Sequence, residues 1–214
     1  MRWQYKFLAL LVAGLIASGL LLLLLGEFHE EITRPWFSAL DQRTMSIVHG
    51  WTTPGLTRAM LICTFIGGWS FVEPTVALLI LLLLFRHAQR DAGVLALTVG
   101  GSAALNVGLK LFFQRTRPSV PWALAHEQSF SFPSGHAVPA FCFYATIAYL
   151  LARRRPAMTR SVLIILAVFI VLGVGLSRVY LGVHYPTDIA AGYLVGAIWV
   201  SAVILALHYL ERTI

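Results

Sequence analysis

The sequence predicts an all-α, polytopic membrane protein: a bundle of six transmembrane helices that forms a single domain over residues 1–214. Hydrophobic residues make up 58% of the chain and charged residues only 12%, whereas a soluble domain usually carries about a quarter charged residues. The apolar residues are clustered into long runs separated by short charged patches. Because a helix needs roughly 20 apolar residues to cross a bilayer core of about 30 Å, this length allows about six crossings with short connections.

The six spans follow the apolar runs in chain order. They are predicted at about residues 7–25, 69–85, 92–113, 135–152, 161–176 and 187–207. The first run is longer than the roughly 7–15 residues of a signal-peptide core, and no small-residue cleavage pattern follows it, so we expect a retained helix. Glycines inside the later spans, such as Gly101 and Gly175, predict close contacts between helices in the membrane.

Residues 26–68, between the first and second spans, have a different character. They are too polar to cross a membrane and too rich in aromatic residues, such as Trp36, Phe37 and Trp51, to be a free linker. This composition predicts short amphipathic helices at the outer membrane interface. Such helices either pack on the bundle as a lid or form a rim that guides lipid entry.

The distribution of charge predicts the topology. The formal net charge is +7, but the basic residues lie at the ends of apolar runs, so membrane topology explains them better than a nucleic-acid partner. The run Arg153-Arg154-Arg155 lies in the short loop between the fourth and fifth spans. Because short basic loops favour the cytoplasm, both termini are predicted to be cytoplasmic and the odd-numbered connections external.

A first polar cluster lies near the predicted outer end of the third span. Ionisable residues at such positions are candidates for function by default. Lys110 lies deeper than Arg117, Pro118 ends any helix, and Asn106 lies one turn before Lys110 on the same face. Snorkelling towards the headgroups explains Arg115 well, and it explains Lys110 less well because Lys110 lies deeper.

The second cluster, Ser131 to His136, precedes the fourth span. Ser134 is a suitable helix N-cap, and Gly135 lets the backbone approach a ligand closely. A helix N-terminus offers free N–H groups and the positive end of a dipole, which suit a phosphate. His136 would face the same point, although a capped helix with an interfacial histidine is the alternative.

The third cluster links the fifth and sixth spans. Pro186 fits the first turn of the sixth helix, with His184 just before that turn and Asp188 four residues later. A carboxylate at that position can accept the second imidazole N–H, which fixes the tautomer and stabilises a charged ring. The alternative is an aspartate that caps a helix near an unrelated histidine.

The three clusters lie on the same predicted side of the membrane. Three cations and a helix N-terminus together match a tetrahedral dianion, since arginine makes bidentate contacts and lysine supplies a point charge. The sequence contains no set of carboxylates, cysteines and histidines with the spacing of a divalent-metal site. We therefore expect neither a metal nor another cofactor.

These residues resemble the three-part signature of the type 2 phosphatidic acid phosphatases. The matching motifs are Lys110-x6-Arg117-Pro118, Pro133-Ser134-Gly135-His136 and Ser177-Arg178-x5-His184-x3-Asp188. The resemblance implies that His184 attacks phosphorus to form a phosphohistidine, that Asp188 orients it, and that His136 protonates the leaving oxygen. It also implies a set of phosphate-binding residues: Lys110, Arg117, Ser134, Gly135 and Arg178.

The same resemblance implies a lipid phosphate substrate in a bacterial cytoplasmic membrane, with the site facing the periplasm or exterior. Undecaprenyl diphosphate is the best match for a compact six-span chain, and phosphatidylglycerophosphate, phosphatidic acid and lipid A phosphates are alternatives. A vanadium haloperoxidase shares this type of site but is soluble. A non-enzymatic binder or transporter of lipid phosphates would need the cations but no oriented nucleophile.

Overall fold

The computed structural model describes residues 26, 27, 30 and 34–213, with side chains described as far as Tyr209. The predicted first span, residues 7–25, lies outside the described residues. The rest of the chain folds into α-helices joined by short connections. In chain order they are α1 (Pro35–His49), α2 (Pro54–Gly67), α3 (Trp69–Phe85), α4 (Gln89–Phe113), α5 (Ala137–Ala152), α6 (Ala157–Tyr180) and α7 (Pro186–Thr213).

Helix α1 is amphipathic, as the composition of residues 26–68 predicts. Asp41, Met45 and Val48 are buried against the bundle, whereas Trp36 and Ile47 are exposed. The buried residues are spaced by three and four positions, so they share one helical face. The presence of a charged residue on that buried face is unexpected, and it matters for the site described below.

Helix α2 differs from the prediction of an interfacial helix. Thr53 caps it by accepting a hydrogen bond from the Leu56 backbone at 3.2 Å, and α2 then continues into α3 across a 44° bend at Gly68. Together α2 and α3 are long and apolar enough to cross a membrane. Helix α3 begins at Trp69, where the second span was predicted to start, and the Gly67-Gly68 pair marks a bend between it and the apolar helix α2.

Within the described residues, α4, α6 and α7 each meet the length and hydropathy expected of a membrane span, and the bent α2–α3 pair would make a fourth. Helix α5 is apolar but has only 16 residues. Its residues Ala137, Val138, Ala140 and Cys142 are fully buried, so α5 is the central helix around which the others pack. The structure is all-helical over these residues, as predicted.

Close helix packing occurs at glycines inside the spans. A Cβ atom added to Gly175 in α6 would lie 1.9 Å from the Tyr193 hydroxyl of α7, and one added to Gly101 in α4 would lie 2.2 Å from the Trp199 ring. Only glycine therefore allows these aromatic side chains to approach the neighbouring backbone.

The ends of four helices converge to build the site. Helix α6 extends to Tyr180, four residues past its predicted end, and so carries Ser177 and Arg178. The C-termini of α4 and α6 and the N-termini of α5 and α7 meet at one end of the bundle, where residues 114–136 form the longest connection in the described chain. The Asn106 side chain of α4 donates to the Ser134 backbone carbonyl at 3.3 Å, which ties α4 to the start of α5.

Candidate functional site

His184 and Asp188 form a buried pair at the start of α7. His184 is 1% exposed and Asp188 is fully buried. Because Pro186 begins α7, the four-residue spacing brings the His184 Nδ1 atom to 3.2 Å from the Asp188 Oδ2 atom. A carboxylate accepts hydrogen bonds only, so Nδ1 carries the proton and donates it to Asp188.

The second ring nitrogen of His184 faces a cation. The Arg117 guanidinium donates to the Nε2 atom at 3.1 Å, which leaves a lone pair, and no proton, on that nitrogen. Burial lowers the pKa of His184 to about 4, although the hydrogen bond to Asp188 acts to raise it. The imidazole is therefore neutral at physiological pH and presents a nucleophilic nitrogen towards the cationic cluster.

Asp188 accepts hydrogen bonds from several directions. Its Oδ2 atom also accepts from the Ser131 hydroxyl at 2.5 Å and from the Tyr185 backbone N–H at 3.0 Å, while its Oδ1 atom accepts from Arg115 at 2.5 Å. These bonds fix the plane of the carboxylate and hence the orientation of the His184 ring.

Arg115 contradicts the expectation that it reaches towards the headgroups. Its side chain is 11% exposed and lies between two carboxylates, those of Asp188 and Asp41. The Asp41 carboxylate, from the buried face of α1, also accepts from the Thr187 hydroxyl at 2.6 Å and from the Thr187 backbone N–H at 3.1 Å. The sequence predicts Arg115 in the headgroup region and Arg117 in the phosphate site, and the structure instead buries Arg115 beside Asp188.

The cations of the first cluster are held by backbone carbonyls. Lys110 is 9% exposed, and its ammonium donates to the Phe130 carbonyl. Arg117 donates to the carbonyls of Ser129 at 2.6 Å and Val183 at 2.8 Å. These bonds fix both side chains without neutralising their charges, so the positive potential of the cluster remains available to an anion.

The second cluster lies at the N-terminus of α5. The Ser134 hydroxyl accepts from the Ala137 and His136 backbone N–H groups at 3.3 and 3.4 Å. These bonds hold the turn that leads into α5, but the N-cap is His136 and not Ser134, because α5 begins two residues later than predicted. A Cβ atom added to Gly135 would lie 3.5 Å from the Lys110 side chain. The first and second clusters therefore meet directly.

Arg178 is buried and incompletely paired. It is 3% exposed and donates to the Thr64 hydroxyl of α2 at 2.5 Å, and it forms an ion pair with Glu127. Among the residues described, no hydrogen-bond acceptor reaches its buried Nε atom. Because an unsatisfied buried donor is costly, this atom is suited to an acceptor supplied by a ligand.

Glu127 was not predicted as a site residue. Its carboxylate pairs with Arg178 and lies 3.6 Å from Arg117, and it is 30% exposed. Burial acts to raise the pKa of Glu127, but Arg178, His136 and Arg117 together hold it below its usual value. The Glu127 carboxylate thus contacts two of the three predicted anion-binding cations. Its position in the connection between two motifs is the only signal that the sequence offers.

His136 lies beside the same charges. Burial, followed by the charge of Arg178, lowers the pKa of His136 to about 3, against the opposing effect of Glu127. A Cβ atom added to Gly68, at the α2–α3 bend, would lie 3.2 Å from the His136 Nε2 atom. The structure therefore brings together all eight predicted site residues: Lys110, Arg117, Ser134, Gly135, His136, Arg178, His184 and Asp188.

This arrangement defines a class of protein: a helical membrane protein with a histidine–aspartate pair beside a cluster of cationic side chains. Comparison with known families agrees, because residues 91–212 match the PAP2 superfamily. The chain belongs to this superfamily, which confirms the family resemblance of its three motifs.

Individual relatives extend the match. The chain is 34% identical to phosphatidylglycerophosphatase B of Bacillus subtilis over 82% of this chain and 85% of that protein. It is 26% identical to an undecaprenyl-diphosphatase of Sulfolobus acidocaldarius over 92% and 89% of the two chains. The crystal structure of a transmembrane PAP2-type phosphatidylglycerolphosphate phosphatase from Bacillus subtilis superposes with a TM-score of 0.79 and 31% identity, covering 90% of this chain and 94% of that one.

The tautomer of His184 is directly measurable. We expect a neutral ring with its proton on Nδ1 at all pH values above about 4, because burial lowers the pKa of His184 to about 4 and Asp188 accepts the Nδ1 hydrogen bond. Nitrogen-15 NMR of histidine-labelled protein in detergent micelles separates the two neutral tautomers from the charged ring, and His184→Gln identifies the signal. Asp188→Asn should lose the Nδ1–H preference. A His184 signal that titrates near pH 6.5 would contradict the described geometry.

Proposed function

We propose that this chain hydrolyses a phosphate monoester or diphosphate on a lipid at the outer face of a membrane, through a phosphohistidine on His184. The class of lipid phosphatase is confirmed by the superfamily match and by the relatives. One observation carries the mechanism. His184 is held by Asp188 at Nδ1 and presents the lone pair of Nε2 among cations.

In the proposed first step, the His184 Nε2 lone pair forms a bond to phosphorus, and the bond from phosphorus to the leaving oxygen breaks. The electron pair stays on the leaving oxygen, which takes a proton from His136. Positive charge develops on the His184 ring and is stabilised by Asp188. Arg117 gives up its contact with Nε2 and donates to a phosphoryl oxygen instead.

Water completes the reaction. His136, now neutral, accepts a proton as water attacks the phosphohistidine, and the bond between phosphorus and Nε2 breaks to release inorganic phosphate. Catalysis of phosphoryl transfer depends on position and on charge stabilisation more than on covalent chemistry. The proposed oxygen-binding groups are the side chains of Lys110, Arg117, Ser134 and Arg178 and the backbone N–H of Gly135.

The unpaired Nε atom of Arg178 supports this assignment, since a phosphoryl oxygen would supply its missing acceptor. The low pKa of His136 means that the mechanism also needs a way to protonate this ring. A histidine that donates a proton must be charged, whereas burial favours the neutral ring. A phosphate dianion brings up to two negative charges beside His136 and so raises its pKa in the complex. Substrate binding would thus create the protonated acid that the first step needs.

We also propose that the whole chain forms one domain of six spans with both termini in the cytoplasm. The apolar run at residues 7–25 and the central α5 would add to the spans named above. The basic loop Arg153-Arg154-Arg155 lies at the end of the bundle opposite the site, so the positive-inside rule supports a location of the site at the outer face. A lipid headgroup would reach the helix ends there while its tail stays in the hydrocarbon.

Undecaprenyl diphosphate is the proposed substrate, to be cleaved to undecaprenyl phosphate and phosphate. Its support is the compact form of the chain and the similarity to the undecaprenyl-diphosphatase along nearly all of both chains. Phosphatidylglycerophosphate is the second candidate, because the relative named for its hydrolysis has the higher identity. Phosphatidic acid and lipid A phosphates are further alternatives, and a binder or transporter without hydrolysis is the alternative of a different class.

Phosphate release from defined lipids tests the function. Purified protein should release phosphate fastest from undecaprenyl diphosphate in a panel that includes phosphatidylglycerophosphate, phosphatidic acid and lipid A. His184→Ala should reduce release at least about 1,000-fold. Activity on a short-chain substrate added to intact spheroplasts should need no permeabilisation if the site faces outwards. Binding without phosphate release in the wild type would favour the non-enzymatic alternative.

Trapping of the intermediate tests the two histidine roles. In a 4-nitrophenyl phosphate monoester the leaving group is 4-nitrophenolate, which needs little protonation. His136→Ala should therefore still form the phosphohistidine from this substrate and then hydrolyse it slowly. With a natural alkyl ester the same variant should lose about 100-fold to 10,000-fold in rate. Acid-quenched protein would be analysed for an acid-labile, base-stable phosphoryl group, with His184→Ala as the control. Labelled phosphate retained by His184→Ala would overturn the nucleophile assignment.

Removal of the Glu127 charge should strengthen anion binding. A phosphate must take the place of the Glu127 carboxylate on Arg178 and Arg117, so Glu127→Gln should lower the inhibition constant of inorganic phosphate on the order of tenfold, or about 1.4 kcal/mol. Glu73→Gln is the matched control, because Glu73 is exposed on α3. An unchanged or higher inhibition constant in Glu127→Gln would show that the two anions do not compete for the arginines.

A further inference from the structure

We propose that Asp41 and Arg115 are positioning residues that orient Asp188 and set the charge beside His184. The proposal rests on the function proposed above. It concerns two residues that the three motifs do not specify: Arg115 in the spacer of the first motif, and Asp41 on the preceding helix α1. The observation that carries it is a continuous chain of buried contacts, Asp41 to Arg115 to Asp188 to His184.

Arg115 is fixed on every side. Its NH1 atom donates to Asp188 at 2.5 Å and to the Thr187 hydroxyl at 2.8 Å, and its NH2 atom donates to Asp41 at 3.0 Å. The guanidinium also lies over the Tyr185 ring, 4.2 Å from its centroid. The planar, multivalent guanidinium suits this fork of acceptors, whereas an ammonium would supply a single point charge.

Asp41 holds the start of α7 from outside that helix. Its Oδ1 atom accepts the Thr187 backbone N–H at 3.1 Å, one of the first-turn donors that a helix leaves unpaired. Its Oδ2 atom accepts from Thr187 and from Arg115. Because Asp188 is the next residue in the same turn, Asp41 fixes the backbone that carries the catalytic carboxylate as well as the arginine that contacts it.

The charges along this series of contacts, from Asp41 to His184, explain why two aspartates are needed. The His184 ring gains positive charge as it attacks phosphorus, and the negative charge of Asp188 favours that change. Arg115 alone would cancel much of this effect, because it contacts Asp188 directly. Asp41 neutralises Arg115, so Asp188 keeps its negative potential at the ring while Arg115 still fixes its orientation. Few water molecules can screen these charges, since Asp41, Asp188 and His184 are nearly inaccessible.

The test separates catalysis from folding. Asp41→Asn keeps the shape of the side chain and removes the charge. It should lower kcat about 10-fold to 100-fold, the range typical for loss of a residue that orients a ligand in a metal site. KM should stay within about twofold, because Asp41 does not touch the phosphate site. The matched control is Asp91→Asn, which removes a carboxylate paired with Arg153 near the opposite end of the bundle and should leave kcat unchanged.

Two further measurements keep the proposal falsifiable if Asp41→Asn folds poorly. Arg115→Lys retains the positive charge but cannot span both carboxylates, so it should show the same loss of kcat at constant KM. Nitrogen-15 NMR of the substrate-free protein should show a changed His184 Nδ1 signal in both variants and an unchanged one in Asp91→Asn. This second readout needs no turnover, so it stays informative even if the wild type releases no phosphate and the proposed function fails.

The outcomes are distinct. A selective fall in kcat together with an altered His184 signal supports the proposal. Wild-type kcat per folded molecule in both variants overturns it, as does a fall of equal size in Asp91→Asn. A loss that appears only as a lower yield of folded protein, with normal kcat and a normal His184 signal, also overturns it and assigns Asp41 and Arg115 to stability alone.

Discussion

The Asp188 carboxylate is a buried negative charge on which three stretches of the chain depend. It accepts hydrogen bonds from Arg115 after α4, from Ser131 before α5 and from His184 before α7. A buried charge is costly unless it is paired and fully hydrogen-bonded, so this cost is offset only when all three stretches are in place. The same bonds set the plane of the His184 ring. Folding of this end of the bundle and assembly of the site are therefore a single event.

The partial charges at the helix ends complement the charged side chains of the site. The N-termini of α5 and α7 carry partial positive charge and the C-termini of α4 and α6 partial negative charge. Lys110 and Arg178 lie in the last turns of α4 and α6, where a cation offsets the negative end. The start of α7 is occupied by Asp41 and Asp188. Three of the four helix termini thus have a side-chain charge of the matching sign, and the start of the fourth, α5, is the proposed position for phosphate.

The parts of the site that follow from local geometry could be predicted from the sequence. His184 and Asp188 are four residues apart across a helix start, and the Ser134 hydroxyl accepts from the backbone of its own neighbours just before α5. The partners that join distant segments could not, because neither the burial of Arg115 nor its contact with Asp41 follows from residue type or spacing. The bend at Gly68 is a similar case. A pair of glycines predicts a break, but the 44° angle between α2 and α3 and the packing of the glycines against Val174 and His136 follow only from the tertiary structure.

The site also shows how such a concentration of charge is tolerated. Backbone carbonyls accept hydrogen bonds from Lys110 and Arg117. Glu127 differs, because it is partly exposed and lies in a connection instead of a helix. The Glu127 carboxylate therefore offsets part of the positive charge of the cluster. In the proposed mechanism, phosphate exchanges this carboxylate for an anion of higher charge, and the added negative charge would raise the pKa of His136.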